Sequence, residues 1–358
     1  MTSVRQVYNL EGEIAAFFSK TSVHREACDA LATQLIGGDQ VLPVPIQGNR
    51  SYTVYAGQAL DHVVQFRPKS LPLNLETTSL AHRVFGDLAP EVSFKQQLGE
   101  DSTAAGQEPL LVYVMPRLPG ITHIEFILAH GSPENSPENM ARREVLVRDF
   151  ARFFALVWKT PQEIEEAFRD SLAATCEREL QELLTSLPDR FHPIISGTLA
   201  SLPSIFALPM ALAHKDLSPC KVMVHESSCR FAGVAGWDEA EVEPFGTNLK
   251  FVQDLMSKLH LEDGWTRYED YDHLVSLFWE TFTSEVGGLD KDTLKAIKAA
   301  RVLGLLRTRG FTLRIAGYPT PAVPVKLDSD SGRYNLMILD GLLLDPATRF
   351  EELGELLG

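Results

Sequence analysis

The sequence predicts an α+β fold of two lobes, a small β-rich N-terminal lobe and a larger, mostly helical C-terminal lobe. Three observations lead to this prediction. The chain has 358 residues, whereas single hydrophobic cores stop growing at about 250–300 residues. Residues 41–118 alternate β-rich runs with turn residues. From residue 119 onward, helical spacing of apolar residues dominates.

The N-terminal lobe is preceded by residues 1–40, where apolar and charged residues mix as they do in helices. Within the lobe, runs of β-branched and aromatic residues predict strands, and Gly57 marks a hairpin turn between the first two. We predict strands at residues 49–55, 63–66, 90–94 and 110–115, a helix at 75–85 and a polar loop at 99–107.

A hinge between the lobes is predicted at Pro116 to Gly120, where proline and glycine break the strand pattern. The C-terminal lobe, residues 119–358, contains a loop at 131–139 that is rich in Pro, Ser and Asn. Within residues 212–240 two short apolar runs predict a hairpin set among helices.

The helices of the C-terminal lobe are predicted from one-sided apolar spacing. The strongest signal is the run from Glu144 to Lys159, which places Leu146 and Phe150 on one broad apolar face and stops before Pro161. Further helices are predicted at residues 172–187, 274–282 and 290–301, the last with Asp292 or Thr293 as its cap.

The formal net charge of −15 argues against partners with phosphate backbones or anionic lipid surfaces. Neither a signal peptide nor an apolar run of the roughly 18–20 residues that span a membrane is apparent. The four cysteines include no CxxC pair, which is typical of a reduced compartment. We therefore expect a cytoplasmic protein that binds neither nucleic acid nor membranes.

Three consecutive segments carry a family resemblance. Residues 213–224 read AHKDLSPCKVMV, residues 231–240 read FAGVAGWDEA and residues 244–249 read PFGTNL. The first two resemble the catalytic loop (roughly H-G-D-L-x-x-x-N) and the metal segment (roughly G-V-I-D-W-x-x-A) of the aminoglycoside phosphotransferase and choline kinase family. The third is similar to a run in fungal members. The resemblance implies a protein-kinase-like fold.

The resemblance also implies roles for the loop residues. In the family, the loop Asp takes or orients the acceptor proton, while the loop Asn and the downstream Asp hold metal ions. Asp216 fills the first role here, and His214 orients the loop. However, Lys221 stands where the Asn is expected and Gly236 where the metal Asp is expected. Lysine has no acceptor and glycine no side chain, so no metal ligand is assigned.

Two substitutes for the lost metal site are open. Asp238, two residues beyond the expected position, could bind a metal ion if the turn is remodelled. Alternatively, Lys221 could itself contact phosphate. An ion pair between Lys221 and Asp216 is a separate possibility: it would fix the loop and leave it inert, or it would serve acid–base or hydrogen-bonding roles on a different substrate. The catalytic set is therefore Asp216, Lys221 and His214.

In the N-terminal lobe, either Gln65 or Arg67 stands where kinases carry the basic residue that contacts phosphate, with Glu76 as the helix partner of Arg67. Residues 47–52 hold one glycine, which is as typical of an ordinary turn as of a phosphate loop. The predicted substrate-binding set is Trp237, Arg67, Glu76, Tyr113, Met115 and Asp238.

Three functions fit these observations. The first is a repurposed kinase fold that binds a small organic molecule in the cleft between the lobes and catalyses isomerisation or intramolecular cyclisation in a natural-product pathway, without a cofactor. The second is a small-molecule O-phosphotransferase that uses ATP and magnesium through displaced ligands. The third is a silent pseudokinase that binds a protein.

Overall fold

The computed structural model describes residues 8–48, 50–100, 107–260, 264–312, 322–351 and 353–356. These fall into two compact units. The first unit comprises the described residues up to Leu118 together with Ala235–Asp238. The second comprises the described remainder, from Pro119 to Val234 and from Glu239 onward.

The first unit is built on a five-stranded antiparallel sheet in the order β1-β2-β3-β5-β4. Its strands are β1 (Val41–Pro43), β2 (Tyr52–Ala56), β3 (His62–Pro68), β4 (Ser93–Leu98) and β5 (Leu110–Pro116). Its helices are α1 (Leu10–Phe18), α2 (Arg25–Ile36) and α3 (Leu75–Phe85). The hairpin predicted near Gly57 is confirmed, because β2 pairs with β3 across that turn.

The two faces of this sheet differ because side chains alternate along each strand. On β3, Val64 and Phe66 are fully buried and pack in a core with Phe17 of α1 and Leu31 of α2. The intervening Gln65 and Arg67 therefore point to the opposite face. The sequence pattern of β3 thus sets an apolar face for α1 and α2 and leaves a polar face on the other side.

Both edge strands of the sheet are irregular. β1 has three residues and ends at Pro43, which has no N–H group to donate. β4 shifts its register against β5 between Phe94 and Gln96, and its central residues are exposed. The strand predicted at residues 90–94 is instead found at Ser93–Leu98. An exposed edge strand tolerates polar residues, and those residues gave no strand signal in the sequence.

The second unit is mostly helical. Its helices are α4 (His123–His130), α5 (Pro137–Lys159), α6 (Glu166–Ser186), α7 (His192–Phe206), α8 (Val252–Met256), α9 (Tyr271–Glu285), α10 (Lys291–Arg309), α11 (Asp330–Leu343) and α12 (Leu353–Leu356). Its core is rich in aromatic contacts between α5 and α9, where Phe154 packs edge-on against Phe278 and Trp158 against Phe282. The predicted apolar face of α5 is therefore confirmed.

Short antiparallel strands complete the second unit. They are β6 (Ile121–Thr122), β7 (Met210–Ala213), β8 (Val222–Val224), β9 (Phe231–Val234), β10 (Glu241–Pro244), β11 (Ser257–His260) and β12 (Gly264–Arg267). β8 and β9 form the predicted hairpin, with β6 added at its edge. β7 pairs with β10, so Ala213, the first residue of the catalytic-loop segment, lies beside Glu241, the residue that follows the metal segment.

Several helix boundaries differ from prediction: α6 begins at Glu166, α9 extends over Tyr271–Glu285 and α10 continues to Arg309. Two N-terminal ends are explained by their caps. α5 begins at Pro137, inside the predicted loop 131–139, because Ser136 caps it and proline suits the first helical position. α10 is capped by Asp290, whose carboxylate accepts from Thr293 N at 2.8 Å, and not by Asp292 or Thr293.

The predicted α+β class, with a β-rich first part and a mostly helical second part, is confirmed. No helix in the described ranges is long and apolar enough to cross a membrane. Of the polar loop predicted at 99–107, residues 101–106 lie outside the described residues.

Candidate functional site

The catalytic-loop segment connects β7 to β8 in the second unit. His214 is buried directly after β7, whereas Asp216 is exposed and Lys221 is half-buried. The loop closes on itself through Lys221 N, which donates to Ser218 O at 2.9 Å. It is also tied to α4, because Ile124 N donates to Pro219 O at 3.1 Å. The backbone therefore holds Asp216 and Lys221 on one short, braced turn.

Asp216 and Lys221 do not neutralise each other. Across the described residues, neither forms an ion pair, so the Asp216–Lys221 pair considered from the sequence is not formed. Both charges act on Cys220 between them: desolvation raises the pKa of its thiol, Lys221 lowers it and Asp216 raises it again. With its pKa raised overall, Cys220 is a poor nucleophile, whereas an acid and a base stand unpaired on the loop.

Lys215, which stands at the glycine of the family's loop pattern, anchors this loop. Its ammonium contacts Glu243 Oε1 at 2.5 Å and Glu241 Oε2 at 3.1 Å, both on β10. Glu243 also accepts from Arg307 of α10 at 2.5 Å, and Arg307 donates through Nε to Glu179 of α6 at 2.8 Å. A chain of four alternating charges thus runs from the helical core to the loop.

The electrostatics of this chain favour the ionised form of Glu243. Burial opposes the charge, but Lys215 and Arg307 outweigh it and lower the pKa of Glu243 to about 2. Sequence reasoning missed this chain, because its members come from four separate elements. The one available signal was Lys215 itself, a large charged residue where the family pattern has glycine.

In the first unit, Arg67 is the centre of the candidate site. Its Nη1 lies 3.0 Å from Asp238 Oδ2, and its Nε donates to Leu71 O at 2.8 Å. The side chains of Arg67 and Asp238 are only 8% and 15% exposed. The carboxylate that neutralises Arg67 is therefore Asp238. This corrects the expectation for Glu76, which lies exposed in the first turn of α3.

Gln65, the other candidate for the basic position, donates to two neutral hydroxyl groups. Its Nε2 donates to Ser51 Oγ at 3.2 Å and to Thr53 Oγ1 at 3.3 Å. Gln47, in the possible phosphate loop, uses its side chain to brace the neighbouring backbone, accepting from Thr53 N at 2.9 Å. In the described part of this segment, which lacks residue 49, the polar groups of Gln47 and Ser51 thus form hydrogen bonds with nearby protein groups, as in an ordinary turn.

The aromatic members of the predicted substrate-binding set are covered by protein. Trp237 is buried and stacks on Phe85 of α3, with ring centroids 4.7 Å apart. Tyr113 is buried on β5, where its hydroxyl accepts from Leu73 N at 3.1 Å. Met115, two residues along the same strand, is half-buried. Their substrate contacts stay a prediction, and in this structure both rings support the fold.

The magnesium that the family resemblance implies does not fit the residues present. Gly236 has a φ of +83°, a backbone conformation that glycine adopts without strain, and it offers no ligand atom. Asp238 is engaged by Arg67, and Lys221 is a cation. Within the described ranges, no group of three or more His, Cys, Asp or Glu side chains is placed to hold a metal ion.

No protein-family model and no curated protein matches the chain. Among solved structures, the GDP complex of wild-type aminoglycoside 2'-phosphotransferase-IIIa is 14% identical, with a TM-score of 0.49 over 88% of this chain and 96% of that one. Macrolide 2'-phosphotransferase from Brachybacterium faecium is 16% identical, with a TM-score of 0.47 over 79% and 89%.

An aminoglycoside phosphotransferase from Streptomyces rimosus, in complex with ADP and streptomycin, is 15% identical, with a TM-score of 0.42 over 77% of this chain and 97% of that one. The nucleotide and the antibiotic are ligands of that protein. These three solved structures are aminoglycoside and macrolide phosphotransferases, at identities that carry no information on the ligand of this chain.

Proposed function

We propose that this chain is a kinase-fold protein that binds a small organic molecule and does not carry out ordinary magnesium-dependent phosphoryl transfer. Its reaction class in this proposal is an isomerisation or an intramolecular cyclisation, as in natural-product pathways. The fold assignment rests on the motif resemblance of residues 213–249 together with a β-rich first part and a helical second part. The departure from kinase chemistry rests on the charges of the site.

The ion pair between Arg67 and Asp238 is the observation that carries this proposal. In a kinase, the basic residue of this sheet contacts phosphate and the carboxylate after the hairpin holds the metal ion. Here the two charges satisfy each other at 3.0 Å, away from solvent. A nucleotide would have to separate a largely buried pair, and removing one partner of such a pair costs about 3–5 kcal/mol.

The loop residues Asp216 and Lys221 supply the chemistry in this proposal. An exposed carboxylate and an ammonium that forms no ion pair with a described residue lie on one braced turn. Together they form an acid–base couple that needs neither metal nor nucleotide. Asp216 takes a proton from the substrate, and Lys221 stabilises the negative charge that develops. Holding one conformer of a flexible substrate then supplies much of the rate acceleration of a ring closure.

Calorimetric titration with ATP, with and without magnesium, tests the proposal. We expect no magnesium-dependent heat at millimolar nucleotide. Clear magnesium-dependent binding would overturn the proposal in favour of the second candidate, an O-phosphotransferase. The second candidate is supported by Asp216, which stands where the family carries the residue that takes the proton of the acceptor hydroxyl. Asp216 is exposed and forms no ion pair with any residue that the structure describes.

A reverted protein provides the positive control. Lys221→Asn with Gly236→Asp replaces both lost ligands, although an aspartate at a φ of +83° carries about 1–2 kcal/mol of strain. Adding Asp238→Ala releases Arg67 for phosphate. We expect magnesium-dependent ATP binding to appear only in the triple variant, because the double variant keeps the Arg67–Asp238 pair.

A further inference from the structure

The sheet face opposite the core of the first unit carries a cluster of neutral polar side chains. Gln65 of β3 is half-buried, and it pairs with Thr53 of β2, which is buried as Ser51 is. The amide nitrogen of Gln65 lies 3.2 Å from Ser51 Oγ and 3.3 Å from Thr53 Oγ1. The two hydroxyl oxygens lie 3.2 Å from each other. The three side chains therefore form a closed triangle of hydrogen bonds.

The number of protons in this triangle fixes the orientation of the Gln65 amide. Three contacts need three protons, and the hydroxyl groups of Ser51 and Thr53 supply only two. At least one proton must come from the amide, so Nε2 faces the hydroxyl groups and Oε1 does not. Among the described residues Oε1 has no donor, yet it is not closed off from solvent. Gln65 thus presents a free acceptor.

The surroundings of this acceptor are apolar. Val63 precedes Gln65 by two residues, so both side chains lie on the same face of the sheet. Val63 pairs with Tyr55 of β2 on one side and with Met115 of β5 on the other, and all three are half-buried. A ligand that lies here can rest an apolar body on this row and has to supply a donor to Gln65.

The central strands of the sheet offer no free charge beside Gln65. β2, β3 and β5 contain no Asp or Glu, and their one Lys or Arg is Arg67, which is paired with Asp238. Arg117, which follows β5, lies over the ring of Tyr55 at 3.8 Å from its centroid. A bound anion would face the carbonyl oxygen of Gln65, and a bound ammonium would lose water without gaining a carboxylate.

We propose that Gln65 is a specificity-determining residue that selects an uncharged, largely apolar ligand, which donates to its Oε1 from an amide N–H or a hydroxyl group. This inference rests on the function proposed above and narrows its substrate class. One of the two positions at which a kinase would carry its phosphate-binding base thereby discriminates against anions.

Four small molecules that share a cyclohexane ring test the proposal. Cyclohexanecarboxamide is a neutral donor, its methyl ester counterpart is neutral without a donor, cyclohexanecarboxylate is an anion and cyclohexylmethylammonium is a cation. In protein with carbon-13 in its methionine methyl groups, the Met115 resonance, assigned through Met115→Leu, reports binding on this face. The amide should shift it at millimolar concentration and bind about tenfold more tightly than the other three, because it alone donates without a charge.

Variants at position 65 assign the preference to its side chain. Gln65→Leu should bind the amide and the ester equally, and Gln65→Lys should prefer the carboxylate to the amide. Gln96→Leu is the matched control, because the exposed Gln96 pairs with Val112 on the opposite face, and it should keep the wild-type order. Should Gln65→Leu fail to fold, the wild-type order of the four molecules decides.

Three results would overturn the proposal: an amide that leaves the Met115 resonance unmoved, equal affinities in the wild type, or a preference for the amide that persists in Gln65→Leu. Titration of the wild type with ATP and magnesium separates this inference from the function on which it rests. Magnesium-dependent ATP binding would overturn both. A protein that ignores ATP and does not prefer the amide would overturn the role of Gln65 alone.

Discussion

The guanidinium of Arg67 lies 3.0 Å from the carboxylate of Asp238, although 171 positions separate the two residues in the chain. The contact fastens the segment that follows the β8–β9 hairpin to strand β3 of the first unit. Trp237, the neighbour of Asp238, adds a stacked contact with Phe85. An ion pair to strand β3 and a ring pair to helix α3 thus attach a four-residue segment to two elements that lie far away in sequence.

Breaking this pair should destabilise the protein. Either Arg67→Ala or Asp238→Ala leaves a charge with little access to solvent, so we expect a loss of about 3 kcal/mol in the free energy of unfolding. The double variant should lose less than the sum of the two single losses, because it leaves neither charge unpaired. Urea denaturation of the four proteins measures this coupling.

Asp39→Ala is the matched control for this cycle, since Asp39 is an exposed carboxylate of the same unit. Its effect should stay within about 0.5 kcal/mol. Additive losses in the cycle would show that the two side chains do not interact in solution.

Arg307 should be among the residues least tolerant of substitution in the second unit. It is 7% exposed in its side chain and contacts both Glu179 and Glu243. Arg307→Ala leaves two buried carboxylates without their shared cation, so we expect a loss of about 3–5 kcal/mol. Thermal and urea unfolding measure it. Arg333→Ala removes an exposed arginine and should change stability by less than about 1 kcal/mol.

Stability should fall in acid through Glu243. Lys215 and Arg307 hold its pKa at about 2 in the folded protein, below the ordinary 4.5 that applies when the chain unfolds. A carboxyl group whose pKa is lower in the folded state stabilises the fold to its full extent at every pH above its pKa in the unfolded chain. This stabilisation, about 3 kcal/mol, is therefore lost as the pH falls from 4.5 to 2.

Glu243→Gln should remove that dependence. The variant should be less stable than the wild type at pH 6 and should approach it near pH 2. Glu241→Gln, on the same strand and in contact with the same lysine but 61% exposed, is the control and should leave the acid limb unchanged. If the stability of the wild type and of Glu243→Gln fell equally as the pH drops below 4.5, Glu243 would not be the cause of the acid dependence.

Gly304 should not accept a side chain. A Cβ at this position of α10 would lie 1.7 Å from Thr247 O, and a backbone atom cannot move aside as a side-chain end can. Gly304→Ala should therefore cost about 3 kcal/mol despite the better helix propensity of alanine. Gly354→Ala is the control, because open space surrounds Gly354. Equal unfolding midpoints for Gly304→Ala and Gly354→Ala would show that the backbone of Thr247 does not lie so close to position 304.

Local patterns predicted much of the fold. The helix at 75–85 is confirmed to the residue, and the hairpin of β8 and β9 lies where two short apolar runs predicted it. Both signals are local, since they depend on spacing and on turn residues. The predicted position of β4 was wrong by several residues, because an exposed edge strand lacks the apolar face from which a strand is recognised in a sequence.

The site was less accessible to sequence reasoning. The two motifs identified Asp216, Lys221 and Gly236, because the role of each residue depends on its position within its motif. They could not identify Glu179 and Arg307 as the supports of Lys215, because the contacts run from α6 through α10 and β10 before they reach the loop. Pairings of this kind are set by how elements pack, which spacing along one element does not encode.

The irregular outer strands of the first sheet have a consequence for association. An intact strand edge offers a row of N–H and C=O groups on which a foreign peptide can extend the sheet by β-augmentation. Pro43 removes a donor from one described edge, and the register shift beside Lys95 interrupts the other. Self-templated polymerisation through this sheet is therefore disfavoured, and a concentrated solution of the protein should stay free of cross-β fibres.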